Sequence, residues 1–192
     1  MNQAAFVRLF IAIKIPENVR AAFASLLKDF RAIAPQLKWV RAENLHVTLK
    51  FLGETEPAKL AALQTALSIL RSPDPVDLEF RGLGFFPNEK RPRVFWAGME
   101  ASPNLKTLAA DVDQAAHCIG FPLEQRPFTP HLTLARFPPP GVSLKLLQAM
   151  NQKSAQPFGS LCAQEFHLIE SKLKPTGAEY TTVQTFRFAT EA

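Results

Sequence analysis

Cysteine is nearly absent from this chain. Cys118 and Cys162 are the only two in 192 residues, and they lack the pair spacing of a zinc ribbon or a redox pair. They are expected to stay reduced, as small buried hydrophobes. Long apolar runs are also missing. No stretch reaches the roughly 18 residues that a membrane-spanning helix needs. Arg8 and Lys14 interrupt the apolar start, so no secretory signal is expected and the predicted location is cytoplasmic. Tyrosine occurs once and tryptophan twice against 16 phenylalanines, which supplies large apolar bodies with few polar tips to satisfy. There is no His-Glu-x-x-His and no carboxylate cluster, so neither a metal nor another cofactor is expected. The charge excess is small: 22 Lys plus Arg against 17 Asp plus Glu, a formal +5. That suits a polyanionic partner without naming one.

What the chain does have is one phrase written twice. His46-Val47-Thr48-Leu49 returns 85 positions later as His131-Leu132-Thr133-Leu134. A strand has period two, so each His and the Thr two places on share one face while the aliphatic pair occupies the other. Each phrase is predicted to be a half-buried strand showing an imidazole and a hydroxyl. Two of the chain's four histidines stand in it.

The surroundings of the two copies match in order. Phe6 to Ile13 reads as a strand, Pro16-Glu17 opens a helix with buried positions Val19, Phe23, Leu26, Leu27 and Phe30, and Leu37 to Val40 is a short strand. Leu45 to Leu52 is the first His strand, closed by Gly53. Pro57 starts a helix whose apolar positions are Leu60, Leu63, Leu67 and Leu70, and Ser72 to Pro75 stops it. Val76 to Phe86 is a strand in which Gly82 and Gly84 suggest a bulge or a close backbone approach. The second half repeats the scheme: strand Arg93 to Met99, helix Leu105 to Ile119, the second His strand Pro130 to Phe137, the breaker Pro138 to Gly141, helix Ser143 to Asn151, then strands Phe158 to Leu173 and Glu179 to Phe188. The fold expected is α+β, one domain over 1–192 with duplicated halves near 1–90 and 91–192. Two pseudo-symmetric lobes, each an antiparallel-rich sheet with helices outside, would enclose a cleft and give it one His each.

Histidine titrates near neutrality and can serve as acid or base. Two of them on opposite sides of a phosphodiester suit in-line displacement, one taking a proton from water while the other protonates the leaving oxygen. The Thr hydroxyls are stiff donors for nonbridging oxygens. Arg136 lies five residues past His131. In an unbroken strand it would point to the opposite face, so it reaches the site only if the strand bends.

The segments LHVTLKFLG and FTPHLTLARF resemble the signature strands of the 2H phosphoesterase superfamily, and more narrowly its RNA 2′,3′-cyclic phosphodiesterase branch, historically called 2′-5′ RNA ligase. RLFIAI, Trp39-Val40, GFFPNEKRPRVFWAG and HLIESKLKPTGAEY extend the likeness over nearly the whole chain. The resemblance implies hydrolysis of an RNA-terminal 2′,3′-cyclic phosphate to a 2′-phosphomonoester without a metal. It implies that His46 is the proton donor to the leaving 3′ oxygen and His131 the proton acceptor from water. Thr48, Thr133 and Arg136 would bind the phosphate. The partners implied are RNA ends or small cyclic nucleotides, with no membrane and no obligate protein partner, the protein acting as a monomer. Two alternatives stay open: 2′-5′ ligation through the same site, and a non-catalytic module that binds RNA ends or nucleotides.

Other residues are read more plainly. His117 beside Cys118 on a helix does not face it and is expected to be structural. His167 is a packed or exposed strand residue. Lys50 either shares the site face or ends its strand in solvent. The basic loop Asn88 to Arg93 is solvated or guides an RNA backbone. Of Phe51, Phe85, Phe86 and Phe128, one can stack on a base, while core packing is the ordinary fate of each.

Overall fold

The computed structural model describes residues 6–72, 74–138, 142–175 and 177–188. Pro73 and Pro139 to Gly141, parts of two predicted breakers, lie outside the described residues. Among the described residues, nine strands and four helices follow one another. They are β1 (Val7–Lys14), α1 (Glu17–Ile33), β2 (Lys38–Trp39), β3 (His46–Thr55), α2 (Pro57–Ser68), β4 (Val76–Phe86), β5 (Val94–Ala101), α3 (Asn104–Cys118), β6 (Leu132–Arg136), α4 (Leu144–Lys153), β7 (Pro157–Ala163), β8 (Glu165–Lys174) and β9 (Gly177–Arg187). A short 3-10 turn, Ala42–Asn44, leads into β3.

The local causes are those the sequence suggests. Pro16 stands at the N-cap of α1, and Glu17 places an acid against the positive helix end. The helix buries Val19, Phe23, Leu26, Leu27 and Phe30. Each of the two Phe rings taken fully out of water contributes about 2–3 kcal/mol. Ser143 caps α4, its hydroxyl accepting from Leu146 N–H at 3.3 Å. In α2 Leu63 and Leu67 are buried, while Leu60 inside the helix and Leu70 beyond its end at Ser68 are partly buried against the same core. The predicted strand Phe158 to Leu173 is two strands, broken at Gln164, with β7 and β8 on opposite sides of the sheet's centre.

These nine strands form one antiparallel sheet in the order β7-β4-β5-β6-β3-β1-β8-β9, with β2 also on β6. The two expected sheets are thus continuous, joined through β6 and β3 by the partner pair Val47 and Leu132. Reading outward from that junction, β6, β5, β4 and β7 mirror β3, β1, β8 and β9. The result is two pseudo-symmetric lobes. Each lobe draws on both sequence halves. β4, from the first half, pairs with β5 of the second, and β8, from the second, pairs with β1. The helices exchange too. α1 packs on β7 and α4, with Phe23 against Phe80 and Phe158 and Phe30 against Phe95, whereas α3 packs on β3 and α2. The point near residue 90 where the repeats meet falls between β4 and β5, inside one hairpin.

The helices cover one sheet face and enclose the main core. The other face is open, with a small apolar cluster of Phe10, Ala12 and Ile169. No helix is long and apolar enough to cross a membrane among the described residues. Gly84 lies on the open face opposite Trp96, and a Cβ there would run into the indole ring. Gly82, at φ +77°, marks the register shift between Phe80 and Leu83.

Candidate active site

The two His strands are neighbours at the centre of the sheet. They run antiparallel with Val47 opposite Leu132, and both of these aliphatic residues are fully buried. Extending that register by one residue each way sets His46 opposite Thr133 and Thr48 opposite His131. The two imidazoles and two hydroxyls therefore occupy a quadrilateral on the open face, with like groups at diagonal corners. His46 and Thr48 are half-buried, as are His131 and Thr133.

Both histidines are held the same way. His46 Nδ1 lies 2.8 Å from the Asn44 carbonyl oxygen, and His131 Nδ1 lies 2.8 Å from the Thr129 carbonyl oxygen. A carbonyl only accepts, so each Nδ1 carries a proton and donates it. That leaves each Nε2 as the nitrogen that gains or loses a proton. Aromatic rings brace both imidazoles. Phe10 and Tyr180 lie 4.6 and 5.4 Å from the His46 ring, and Phe86 meets His131 edge-on at 5.0 Å.

Burial is the main reason both imidazoles titrate below the ordinary 6.5, since desolvation disfavours the cation. For His46 the Asn44 carbonyl opposes this shift, while the positive charges of His131 and Arg136 deepen it. For His131 the Thr129 carbonyl opposes and Arg136 again deepens. An anion between the two rings offsets these positive charges.

Arg136 shares this face because the strand carries a bulge. The β5–β6 register runs Trp96 to Thr133 and then Phe95 to Ala135, so Leu134 is the extra residue. Leu134 and Ala135 are both buried, and Arg136 turns back to the side of His131 and Thr133. The first motif does the same. Its register runs Ala12 to Thr48 and then Ile11 to Lys50, with Leu49 extra. Lys50 thereby turns away from the site. It is buried beneath α3, ion-paired with Asp113 and donating to the Pro122 carbonyl at 2.8 Å. Neither sequence reading of Lys50 anticipated this, because both assumed an unbroken period of two. The residue equivalent to Arg136 is Phe51, 62% exposed and facing Phe10 at 6.2 Å.

Beside His46 the open face of the first lobe deepens into a pocket of about 470 Å³, lined among others by Lys14, Arg20, Asn44, Tyr180 and Thr182. Asn44 is fixed by donating to the Ala178 carbonyl at 2.7 Å. Lys14 is the ladder partner of His46. Sequence reasoning passed over Lys14, Tyr180 and Phe10. The period-two pattern of β1 was the signal available, since it sets Phe10, Ala12 and Lys14 on one face.

The remaining candidates lie elsewhere. Phe85 is in the core and Phe128 packs against it. The Asn88 to Arg93 loop is an exposed turn, its amides at Lys90 and Arg91 donating to Asn88 Oδ1 at 3.1 Å each. His117 closes the end of α3 through the Phe121 carbonyl at 3.0 Å. His167 is buried, its Nδ1 lying 3.1 Å from the Thr185 hydroxyl. Desolvation, aided by the charge of Lys14, lowers its pKa to about 4. Cys118 and Cys162 are free but exposed, contrary to the expected burial. Cys118 ends a helix and Cys162 sits at an outward step of β7, positions where period, not residue type, decides exposure. No group of three or more His, Cys, Asp or Glu able to hold a metal ion occurs among the described residues.

A two-lobed antiparallel sheet bearing two diagonal His-x-Thr pairs defines the class of this protein. The LigT like Phosphoesterase family model matches residues 13–96 and again 99–180, one match for each repeat. The chain belongs to this family of enzymes. It is 33% identical over 182 residues to the RNA 2′,3′-cyclic phosphodiesterase of Methanothermobacter thermautotrophicus, covering 94% of this chain and 98% of that one. The protein of the same name from Archaeoglobus fulgidus is 32% identical over 180 residues, at 94% and 99% coverage. A crystal structure from Thermus thermophilus superposes with a TM-score of 0.78 at 33% identity, over 96% of this chain and all of that one. Escherichia coli LigT in its apo form gives 0.74 at 30% identity, over 98% and 100%, and that protein has also been crystallised with 3′-AMP and with phosphate.

Proposed function

We propose that this enzyme hydrolyses the 2′,3′-cyclic phosphodiester at an RNA end to a 2′-phosphomonoester, using His46 as acid and His131 as base and no metal ion. The observation that carries the reading is the diagonal pair of imidazoles, each with Nδ1 committed to a carbonyl, which leaves Nε2 to exchange the proton. In-line substitution needs an acid and a base on opposite sides of one phosphorus. His131 Nε2 takes a proton from water as the water oxygen bonds to phosphorus. The bond from phosphorus to the 3′ oxygen breaks, and that oxygen receives the proton of His46 Nε2. One water is added, the phosphate stays on the 2′ oxygen, and solvent returns both histidines to their starting states. Thr48, Thr133 and Arg136 hold the nonbridging oxygens as charge gathers on them. The names of the relatives, which match over nearly their full length, favour RNA as substrate.

The test is product analysis on an oligonucleotide ending in a 2′,3′-cyclic phosphate. The expected product is the 2′-phosphate, at a rate unmoved by a chelator. His46→Ala and His131→Ala should each lower kcat by about 10²- to 10⁴-fold with an unchanged circular dichroism spectrum. A 3′-phosphate product would exchange the leaving oxygen and overturn the assigned roles. Full turnover in either variant would reject the pair, and inhibition by the chelator would reject the metal-free step.

A further inference from the structure

The reaction proposed above has a directional consequence, and the inference drawn from it rests on that reading. The leaving 3′ oxygen and the retained 2′ oxygen belong to one ribose. If His46 serves the leaving oxygen, the ribose and everything on its 5′ side lie toward the first lobe, and water enters from the side of the second. The two ends of the open face differ in charge accordingly. At the far end of the second lobe, a concavity of about 500 Å³ is lined by Asp77, Glu79 and Glu100. Arg81 lies 3.0 Å from Glu100 and 3.8 Å from Glu79, one cation among three carboxylates. Phosphates are repelled from that end.

The first lobe offers the opposite. Its pocket beside His46 contains Lys14, which has no acidic partner among the described residues. The acids near the pocket are engaged: Glu43 by Arg41 at 3.4 Å, and Glu17 by Arg20 Nη2 at 2.6 Å. Arg20 Nε is buried without a hydrogen-bond partner, and a buried donor left unused is destabilising in a way that an anion would relieve. Tyr180 and Thr182 add hydroxyls, while Ile15, Leu45 and Ile169 line the pocket with apolar surface. That combination suits a sugar with a phosphate attached. Lys14 lies close enough to His167 for its charge to disfavour that imidazole's cation. As the ladder partner of His46, it stands on β1, on the side of His46 away from β6 and His131, where a second phosphate would lie.

We infer that this pocket is a second phosphate subsite, in which Lys14 and Arg20 bind the phosphate on the 5′ side of the terminal nucleotide. The enzyme is then selective for RNA ends, and for nucleotides phosphorylated at the 5′ position, over a bare nucleoside 2′,3′-cyclic phosphate.

The experiment compares adenosine 2′,3′-cyclic phosphate with its 5′-phosphorylated form at matched ionic strength. The wild-type enzyme is expected to show kcat/KM higher by at least about tenfold for the 5′-phosphorylated substrate, the worth of one hydrogen bond to a charged group. Lys14→Met and Arg20→Met should each bring that ratio toward one, Lys14→Arg should keep it, and Lys28→Met, on the exposed side of α1, should leave it at the wild-type value. Equal rates on the two substrates in the wild type, or a ratio that survives Lys14→Met, would overturn the subsite while leaving the cyclic phosphodiesterase reading intact. If neither substrate turns over, that reading fails instead. The subsite is then decided by binding of 5′-AMP against adenosine to wild type and Lys14→Met: tighter 5′-AMP binding that the substitution abolishes sustains it, and equal binding rejects it.

Discussion

At the scale of single residues, His46 and His131 differ from free histidine in one respect that kinetics can read. Both titrate below 6.5 in the free protein, chiefly through burial, with Arg136 pressing on each. The proposed mechanism needs His131 neutral and His46 protonated. Activity therefore rises with pH through the pKa of the base and falls through that of the acid, the two behaving as a coupled pair. The profile of kcat/KM, which reports the free enzyme, should have both limbs below pH 6.5. A bound phosphodiester brings a negative charge between the rings and favours their cations, so the limbs of the kcat profile should lie at higher pH. Coincident limbs in the two profiles would show that the substrate's charge does not reach the imidazoles. Their place on one face with the two threonines was readable in the sequence, because a repeated His-x-Thr phrase in a period-two context puts both side chains on the same side of a strand. The carbonyls that hold them were not, since a backbone acceptor two residues upstream leaves no mark in residue type.

The elements carry a lesson about periodicity. Alternation located β3 and β6 and assigned inward and outward residues correctly up to Thr48 and Thr133. Beyond those points each strand has one extra residue, and the parity reverses. Arg136 thereby joins the site and Lys50 leaves it. Nothing in LTLAR or VTLKF marks the extra residue, because the bulge is set by pairing with β5 and β1, a contact distant in sequence. The buried Lys50–Asp113 pair ties β3 to α3. Asp113 remains partly solvated, with 20% of its side chain exposed against 4% for Lys50. Removing the acid strands a buried cation, whereas removing the lysine leaves an acid that water can reach. Asp113→Ala should accordingly cost about 3 kcal/mol or more, and Lys50→Met clearly less. Urea denaturation of the two variants measures the order, and a larger loss for Lys50→Met would contradict the burial of the cation.

The whole molecule is more entangled than its repeat suggests. The order of elements made the duplication and the two lobes readable. The exchange between them was not, because which strand pairs with which neighbour depends on hydrogen bonds across the chain and not on local pattern. With β4 and α1 given to the second lobe and β8, β9 and α3 to the first, neither half keeps a complete sheet or a covered core. Residues 1–90 and 91–192 expressed separately should each lack a cooperative thermal transition, and the intact chain should unfold in one step, with near-ultraviolet and far-ultraviolet signals changing together. A fragment that melts cooperatively alone would show that the exchange is dispensable. The pseudo-twofold axis of the fold runs through the pair Val47 and Leu132, and so through the place where the phosphate is proposed to sit. A phosphodiester has a local twofold axis of its own: rotation swaps its two nonbridging oxygens and swaps its two ester oxygens. Paired hydroxyls and paired imidazoles match that symmetry, so by themselves they favour neither direction of attack. The equivalent positions that differ most beside them are Phe51 and Arg136, a bare ring on one side and a cation on the other. In this fold, which oxygen leaves and which arrives is a question of where that symmetry is broken.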